Sequence, residues 1–157
     1  MIQIAVCGPA DCTDDEWITA HEIGAALASH GATVICGGYG GVMAAVAAGA
    51  RSAGGLVVGI LSGPDREGAG PDLSVVLPTG MGQARNMLIV NAADAVIVVG
   101  GSWGTLSELA MAVRAGRVPV VQVGGWYLLD QIKQQIPGVV QAATPAEAIE
   151  LTGLFPS

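Results

Sequence analysis

The run Gly100-Gly101-Ser102-Trp103-Gly104-Thr105-Leu106-Ser107-Glu108 closes an apolar stretch, 95–101, and opens a helical pattern. Glycines at such a strand-to-helix turn let a ligand approach the backbone, and the free N–H groups of the helix start favour an anion. Ser102 and Thr105 add hydroxyl donors. A tight turn with an ordinary N-cap is the alternative use of the same residues. Gly37-Gly38-Tyr39-Gly40-Gly41 is a second turn of this kind. Gly38 and Gly40 fit the first two glycines of a dinucleotide fingerprint, but Met43 stands at the third, and no acid closes the following strand. An NAD site is therefore not expected, and contact with a phosphate or ribose is. The candidate ligand-binding residues are Gly8, Gly38, Tyr39, Gly40, Gly41 and Met43, with Gly101, Ser102, Trp103, Gly104 and Thr105.

Two charged residues stand near these turns. Arg85 lies in Gly80-Met81-Gly82-Gln83-Ala84-Arg85-Asn86, and Glu108 lies one turn inside the helix that follows Gly104. They are the candidate catalytic pair. The helix has its apolar stripe at Leu106, Leu109, Ala110 and Val113, and Glu108 lies between these positions in the sequence, beside Leu109, so it is not plainly on a solvent face. A structural ion pair between Arg85 and Glu108 is the competing reading. Other chemistries lack their residues. The single lysine, Lys133, is remote from every Gly-rich turn, which excludes a P-loop triphosphatase and disfavours pyridoxal chemistry. No Gly-x-Ser-x-Gly, Cys-x-x-Cys or His-Glu-x-x-His occurs, so neither a serine nucleophile nor a metal site is expected. His21 and His30 are expected at a surface or helix end. Cys7 and Cys36 are expected as buried, inert thiols that end neighbouring strands.

The elements that must position these residues follow from periodicity. Apolar runs at 2–8, 32–38, 56–61, 73–78, 95–101, 118–124 and 139–142 read as strands. Helices are expected over about 14–30, 41–52, 82–92 and 104–114, with a last one opened by Pro145. Thr13 and the acids at 14–16 provide an N-cap and a first turn that suits the helix dipole. Residues 62–72, rich in Gly, Pro and charge, read as an exposed loop. Strands this apolar are buried on both faces, so the expected class is α/β: a doubly wound, mostly parallel sheet of six or seven strands with helices on both faces. Residues 1–157 read as a single domain. Ligands of such sheets bind beyond the carboxyl ends of the strands, and adjacent strands would carry Arg85 and Glu108 to one rim.

Composition narrows the partners. The chain is 52% hydrophobic and 12% charged, against roughly 25% charged in an average soluble protein. With 13 acidic and 6 basic residues and a net charge of −7, it is a poor candidate for duplex nucleic acid. No segment reaches the ~18 apolar residues of a membrane span. No basic leader precedes the first strand, and the cysteine count is odd, so a cytoplasmic protein with reduced thiols is expected. The segment 41–50 is apolar on every side. A helix of that kind is normally buried all round, and a chain this short has little interior, so a homodimer or homotetramer that packs such helices together is expected.

Three motifs in order carry a family resemblance: Gly38-Tyr39-Gly40-Gly41-Val42-Met43 with Gly49-Ala50; Arg85-Asn86 with Asn91-Ala92 and Asp94-Ala95; and residues 101–108. Together, over about residues 2–152, they closely resemble the "lonely guy" (LOG) superfamily. That group includes cytokinin-activating phosphoribohydrolases and molybdenum-cofactor carrier proteins. The resemblance implies a Rossmann-like fold and dimers or larger assemblies. It also implies a phosphate site at Gly101–Thr105 and catalytic roles for Arg85 and Glu108. Against the hydrolase pattern Pro-Gly-Gly-x-Gly-Thr-x-x-Glu, Gly100 replaces Pro and Ser102 replaces the second Gly. Ser107 replaces the first of two common glutamates, and Asn86 replaces a lysine. These departures look like the subgroup that holds the cofactor carriers. The implied ligand is a phosphorylated nucleotide, AMP-like, or molybdopterin, with no further cofactor required. The implied alternatives are hydrolysis of the N-glycosidic bond of a nucleoside 5′-monophosphate, carriage of molybdopterin, or nucleotide sensing without turnover.

Overall fold

A computed structural model describes residues 1–156. In chain order the elements are β1 (Gln3–Cys7), α1 (Asp14–Ser29), β2 (Thr33–Cys36), α2 (Val42–Ser52), β3 (Leu56–Leu61) and β4 (Val75–Pro78). A 3₁₀ turn at Gly82–Arg85 follows, then α3 (Asn86–Asn91), β5 (Ala95–Val99), α4 (Trp103–Ala115), β6 (Val120–Val123), β7 (Val140–Ala142) and α5 (Pro145–Glu150). The seven strands form one sheet in the order β4-β3-β2-β1-β5-β6-β7, and every pairing is parallel. This is the doubly wound, Rossmann-like α/β fold expected of the sequence.

Period-two alternation sorts each strand between two cores. Ile4, Val6, Val34, Cys36, Ile97 and Val99 face one side, which is filled by α1, α2 and α5. Ala5, Cys7, Ile35, Val96 and Val98 face the other, where Ile89 and Val90 of α3 and Leu109 and Ala112 of α4 close over them. The central strands are buried apart from Gln3 at the start of β1, whereas β4 at the edge is largely exposed.

Two sequence expectations are corrected here. The apolar helix α2 needs no second chain to cover it. It lies between α1 and the sheet, with Val42, Ala45, Val46, Ala47, Gly49 and Ala50 all buried. Close approach makes this possible: a Cβ at Gly24 would overlap the Val46 carbonyl, and one at Gly49 would overlap the His21 carbonyl. The helix expected over 82–92 is shorter than read, because its first four residues form the 3₁₀ turn and α3 begins at Asn86.

α1 is closed by a full capping box. Glu16 N donates to Thr13 Oγ1 at 3.2 Å, and Thr13 N donates to Glu16 Oε2 at 2.9 Å. α5 has the same kind of start, with Glu147 N donating to Thr144 Oγ1 at 3.2 Å and an acid in its first turn. α2 and α4 begin without an acid in the first turn, and the candidate site lies there.

Candidate functional site

β1 is the point where the winding reverses: β2 lies on one side of it and β5 on the other. A crevice opens where the connections leave in opposite directions, beyond the ends of β1 and β5. It holds a cavity of about 200 Å³ lined by Gly8, Pro9 and Ala10 after β1, Met43 of α2, Gln83, Arg85 and Asn86 before and at the start of α3, and Ser102, Gly104, Thr105 and Glu108 of α4.

Two helices point their N-termini into this region. At α4, Ser102 is the N-cap, and its Oγ accepts from Thr105 N at 3.1 Å and lies 2.8 Å from Thr105 Oγ1. The N–H groups of Trp103 and Gly104 have no intrahelical acceptor. At α2, Gly41 takes φ +61°, no side chain caps the end, and Val42 N donates to the Pro9 carbonyl at 3.0 Å. Neither helix carries an acid in its first turn, in contrast to α1 and α5. The positive ends of both dipoles are thus left uncompensated beside one cavity. A Cβ at Gly104 would find nothing nearer than Ser102 Oγ at 3.9 Å, so the glycine leaves open space there.

Arg85 is the cation of the site and is only 8% exposed. Its Nε donates to Asn86 Oδ1 at 2.9 Å, and its Nη1 donates to the carbonyls of Gly37, at 2.8 Å, and of Ile60. Among the described residues no buried side-chain nitrogen or oxygen lacks a partner. Nη2 makes none of these bonds, so it is the edge that remains open toward the cavity. The guanidinium also lies 5.7 Å over the ring of Tyr39. Its hydrogen bonds therefore go to carbonyls and to Asn86 rather than to Glu108, and the competing ion-pair reading is not what the structure shows.

Glu108 is half-buried on the cavity wall. Burial pushes its carboxyl from 4.5 up to about 7, against the opposing pull of Arg85 and of the Cys7 thiol beside it. Such a group exchanges a proton near neutral pH. Burial also raises Cys7 well above the ordinary thiol value, with Glu108 adding to the effect, and raises Cys36 to about 11. Both thiols stay neutral, as expected of the sequence.

Arg85 and Glu108 do line one cavity, but not for the reason the sequence suggests. β4, which precedes Arg85, is the edge strand and lies far from β5 in the sheet order. The 3₁₀ turn and α3 instead carry the chain back across the face of the sheet onto α4. Of the other expected residues, Gly8, Met43, Ser102, Gly104 and Thr105 line the cavity. Gly38, Tyr39, Gly40, Gly41 and Gly101 shape the turns behind it. Trp103 is 79% exposed and packs edge-on against Trp126, with ring centroids 5.1 Å apart, on the β6 side of the turn. Pro9, Ala10, Gln83 and Asn86 also line the cavity and were not singled out as ligand residues. The sequence signal for Pro9, Ala10 and Gln83 is only their place just after β1 and just before α3, whereas Asn86 stands in the Arg85-Asn86 motif. The histidines lie where expected: His21 stacks on Trp17, and His30 caps the end of α1 against Phe155.

Residues 1–149 match the model of the SLOG cluster4 family. The chain belongs to that family. This SLOG chain is 34% identical over 131 residues to the cytokinin riboside 5′-monophosphate phosphoribohydrolase of Mycobacterium tuberculosis, which covers 77% of the chain and 69% of the relative. Its fold superposes on the molybdenum cofactor binding protein of the phototrophic bacterium Rippkaea orientalis with a TM-score of 0.87 at 32% identity, covering 96% and 94% of the two chains. The molybdenum cofactor carrier protein of Chlamydomonas reinhardtii gives a TM-score of 0.82 at 30% identity, covering 96% and 95%. These likenesses bear out the resemblance of the SLOG chain to the LOG superfamily. No helix among its described residues is long and apolar enough to cross a membrane.

Proposed function

We propose that the cavity beyond β1 and β5 binds a phosphorylated nucleotide or nucleotide-like ligand. The observation that carries this reading is the convergence of the α4 N-terminus with Arg85, a nearly buried cation whose Nη2 lacks a partner, on one open space. The phosphate rests on the N–H groups and hydroxyls of Ser102–Thr105, and Arg85 holds its charge from the opposite wall. Met43, with the turn at Gly38–Gly41 behind it, flanks the rest of the ligand.

Glu108 favours turnover as a second step of the same reading. Breaking the C1′–N bond of a nucleoside 5′-monophosphate builds positive charge on the ribose. The ionised carboxylate stabilises that charge and takes a proton from the water whose oxygen bonds to C1′. The departing base takes its proton from solvent. The hydrolase relative supports this course. The carrier neighbours support the alternative, in which the same donors hold the phosphate of molybdopterin without breaking it. The donor set fits the phosphate of either ligand.

Two measurements separate these readings. Mass spectrometry of the small molecule released from purified protein identifies a resident ligand. Incubation with AMP or a cytokinin riboside monophosphate releases free base if turnover is correct. Base absent across a panel of monophosphates removes the hydrolase reading and leaves carriage or sensing.

The proposed assembly is a homodimer or homotetramer, in the cytoplasm. Its support lies on the α3–α4 face, where Val75, Leu77, Met81, Met87 and Leu88 are exposed.

A further inference from the structure

Tyr39 does not line the cavity, yet its ring meets Arg85 and its hydroxyl meets the 62–72 segment. Its ring lies under the guanidinium, 5.7 Å from Cζ. Its hydroxyl accepts from Gly63 N at 3.1 Å and from Ser62 Oγ at 3.4 Å. The carbonyls of those two residues in turn accept from the turn that carries Arg85: Gly80 N donates to Gly63 O at 2.8 Å, and Gly82 N donates to Ser62 O at 3.0 Å. Arg85 closes the circuit, because its Nη1 donates to Gly37 and Ile60, each two residues before Tyr39 and Ser62 respectively. Gly70 N donates to Gly38 O at 2.8 Å and adds a second tie from the 62–72 segment to the Tyr39 turn.

We propose that Tyr39 is a positioning residue: its ring fixes the Arg85 guanidinium with Nη2 toward the cavity, and its hydroxyl clamps the 62–72 segment to the turn that carries Arg85. The inference rests on the reading of the cavity as an anion site. A guanidinium hydrogen-bonded through Nε and Nη1 alone can still tilt about those bonds. A ring across its flat face removes that freedom. The hydroxyl does a separate task, because it meets only the 62–72 segment. Ring and hydroxyl are therefore separable by substitution: Tyr39→Phe keeps the ring contact, and Tyr39→Leu removes both.

The test reads the clamp without a ligand and then with one. In ¹⁵N-labelled protein the Arg85 Nε–H signal is expected to be sharp and displaced from the bulk arginine position. Tyr39→Phe keeps it there, and Tyr39→Leu moves it to the bulk position. Trypsin cleavage after the exposed Arg66 is expected to quicken about tenfold or more in Tyr39→Phe, the opening expected when the bonds from Gly63 N and Ser62 Oγ are both lost. Affinity for AMP, measured by calorimetry, is expected to fall about tenfold in Tyr39→Leu and to stay within about threefold in Tyr39→Phe. An Arg85 signal unmoved by Tyr39→Leu overturns the ring's role. An unchanged cleavage rate in Tyr39→Phe overturns the hydroxyl's role. A wild-type chain that binds neither AMP nor inorganic phosphate overturns the anion reading instead, and the Nε signal and the cleavage rate then decide the clamp by themselves.

Discussion

Arg85 Nη1 donates to the carbonyl of Gly37 at 2.8 Å, across 48 residues of chain. The one buried cation of the site is thus also a brace between the end of β2 and the turn before α3. Arg85→Met leaves the Gly37 and Ile60 carbonyls without their donor. It is expected to lower unfolding stability by about 2–4 kcal/mol in urea titration. Arg85→Lys keeps the charge but not the fork, so it is expected to lose most of that stability as well.

Glu108 links the site to pH. Its carboxyl is held near 7 in the fold, against 4.5 ordinarily, so the folded chain retains a proton that the unfolded chain has released between those values. Stability is therefore expected to fall as pH rises from about 4.5 to about 7 and to level off above that. Glu108→Gln removes this dependence. Thermal unfolding of the two proteins across pH 4 to 8 checks the sign: the variant gains on the wild type as pH rises. If turnover occurs, its rate rises with ionisation of Glu108 through the same range, and Glu108→Gln loses it by orders of magnitude while retaining binding.

The contact between α1 and α2 gives a prediction about the scaffold alone. Gly24→Ala and Gly49→Ala each drive a methyl group into a backbone carbonyl of the facing helix. Helix propensity favours alanine at both positions, so a stabilised variant would be expected if the helices were not in close contact. Each substitution is instead expected to cost about 1–3 kcal/mol, measured by denaturant unfolding.

The fold was legible because its signals are local. Apolar runs, four of them ending in glycine, mark all seven strands, and Thr13 with the acids at 14–16 marks an N-cap that the structure completes as a capping box. The Gly-rich turns sit on the rim where a parallel sheet places its ligands. What the residues do not encode locally is which strands lie side by side. Arg85 reaches the cavity of Glu108 through a crossover from an edge strand, a relation set by the order β4-β3-β2-β1-β5 and not by sequence distance. α2 was misread for a related reason. Its all-round apolar surface does mark burial, but the cover is α1, and the glycines that admit it, Gly24 and Gly49, belong to two different helices. The segment between β6 and β7 shows little period of its own. It is held by Asp130 Oδ1, which accepts from Ile132 N and Gln134 N at 2.9 Å each, and by a bridge between Leu129 and Gln135.

The assembly prediction now rests on the α3–α4 face rather than on α2. Leu88→Glu places a charge on that face at a position 38% exposed in the single chain, where the fold itself tolerates it. Light scattering is expected to give a dimer or tetramer mass for the wild type and a smaller mass for the variant. A monomer mass for the wild type at micromolar concentration would remove the assembly.

The anion site is the central claim, and Gly104 tests it most directly, since a side chain there enters the cavity without meeting the rest of the fold. Calorimetry with AMP on the wild type and on Gly104→Val, with thermal unfolding run on both, is the measurement. The wild type is expected to bind, Gly104→Val to have lost binding, and the two proteins to unfold at similar temperatures. Equal affinity in a folded Gly104→Val protein would contradict that claim and place the site elsewhere.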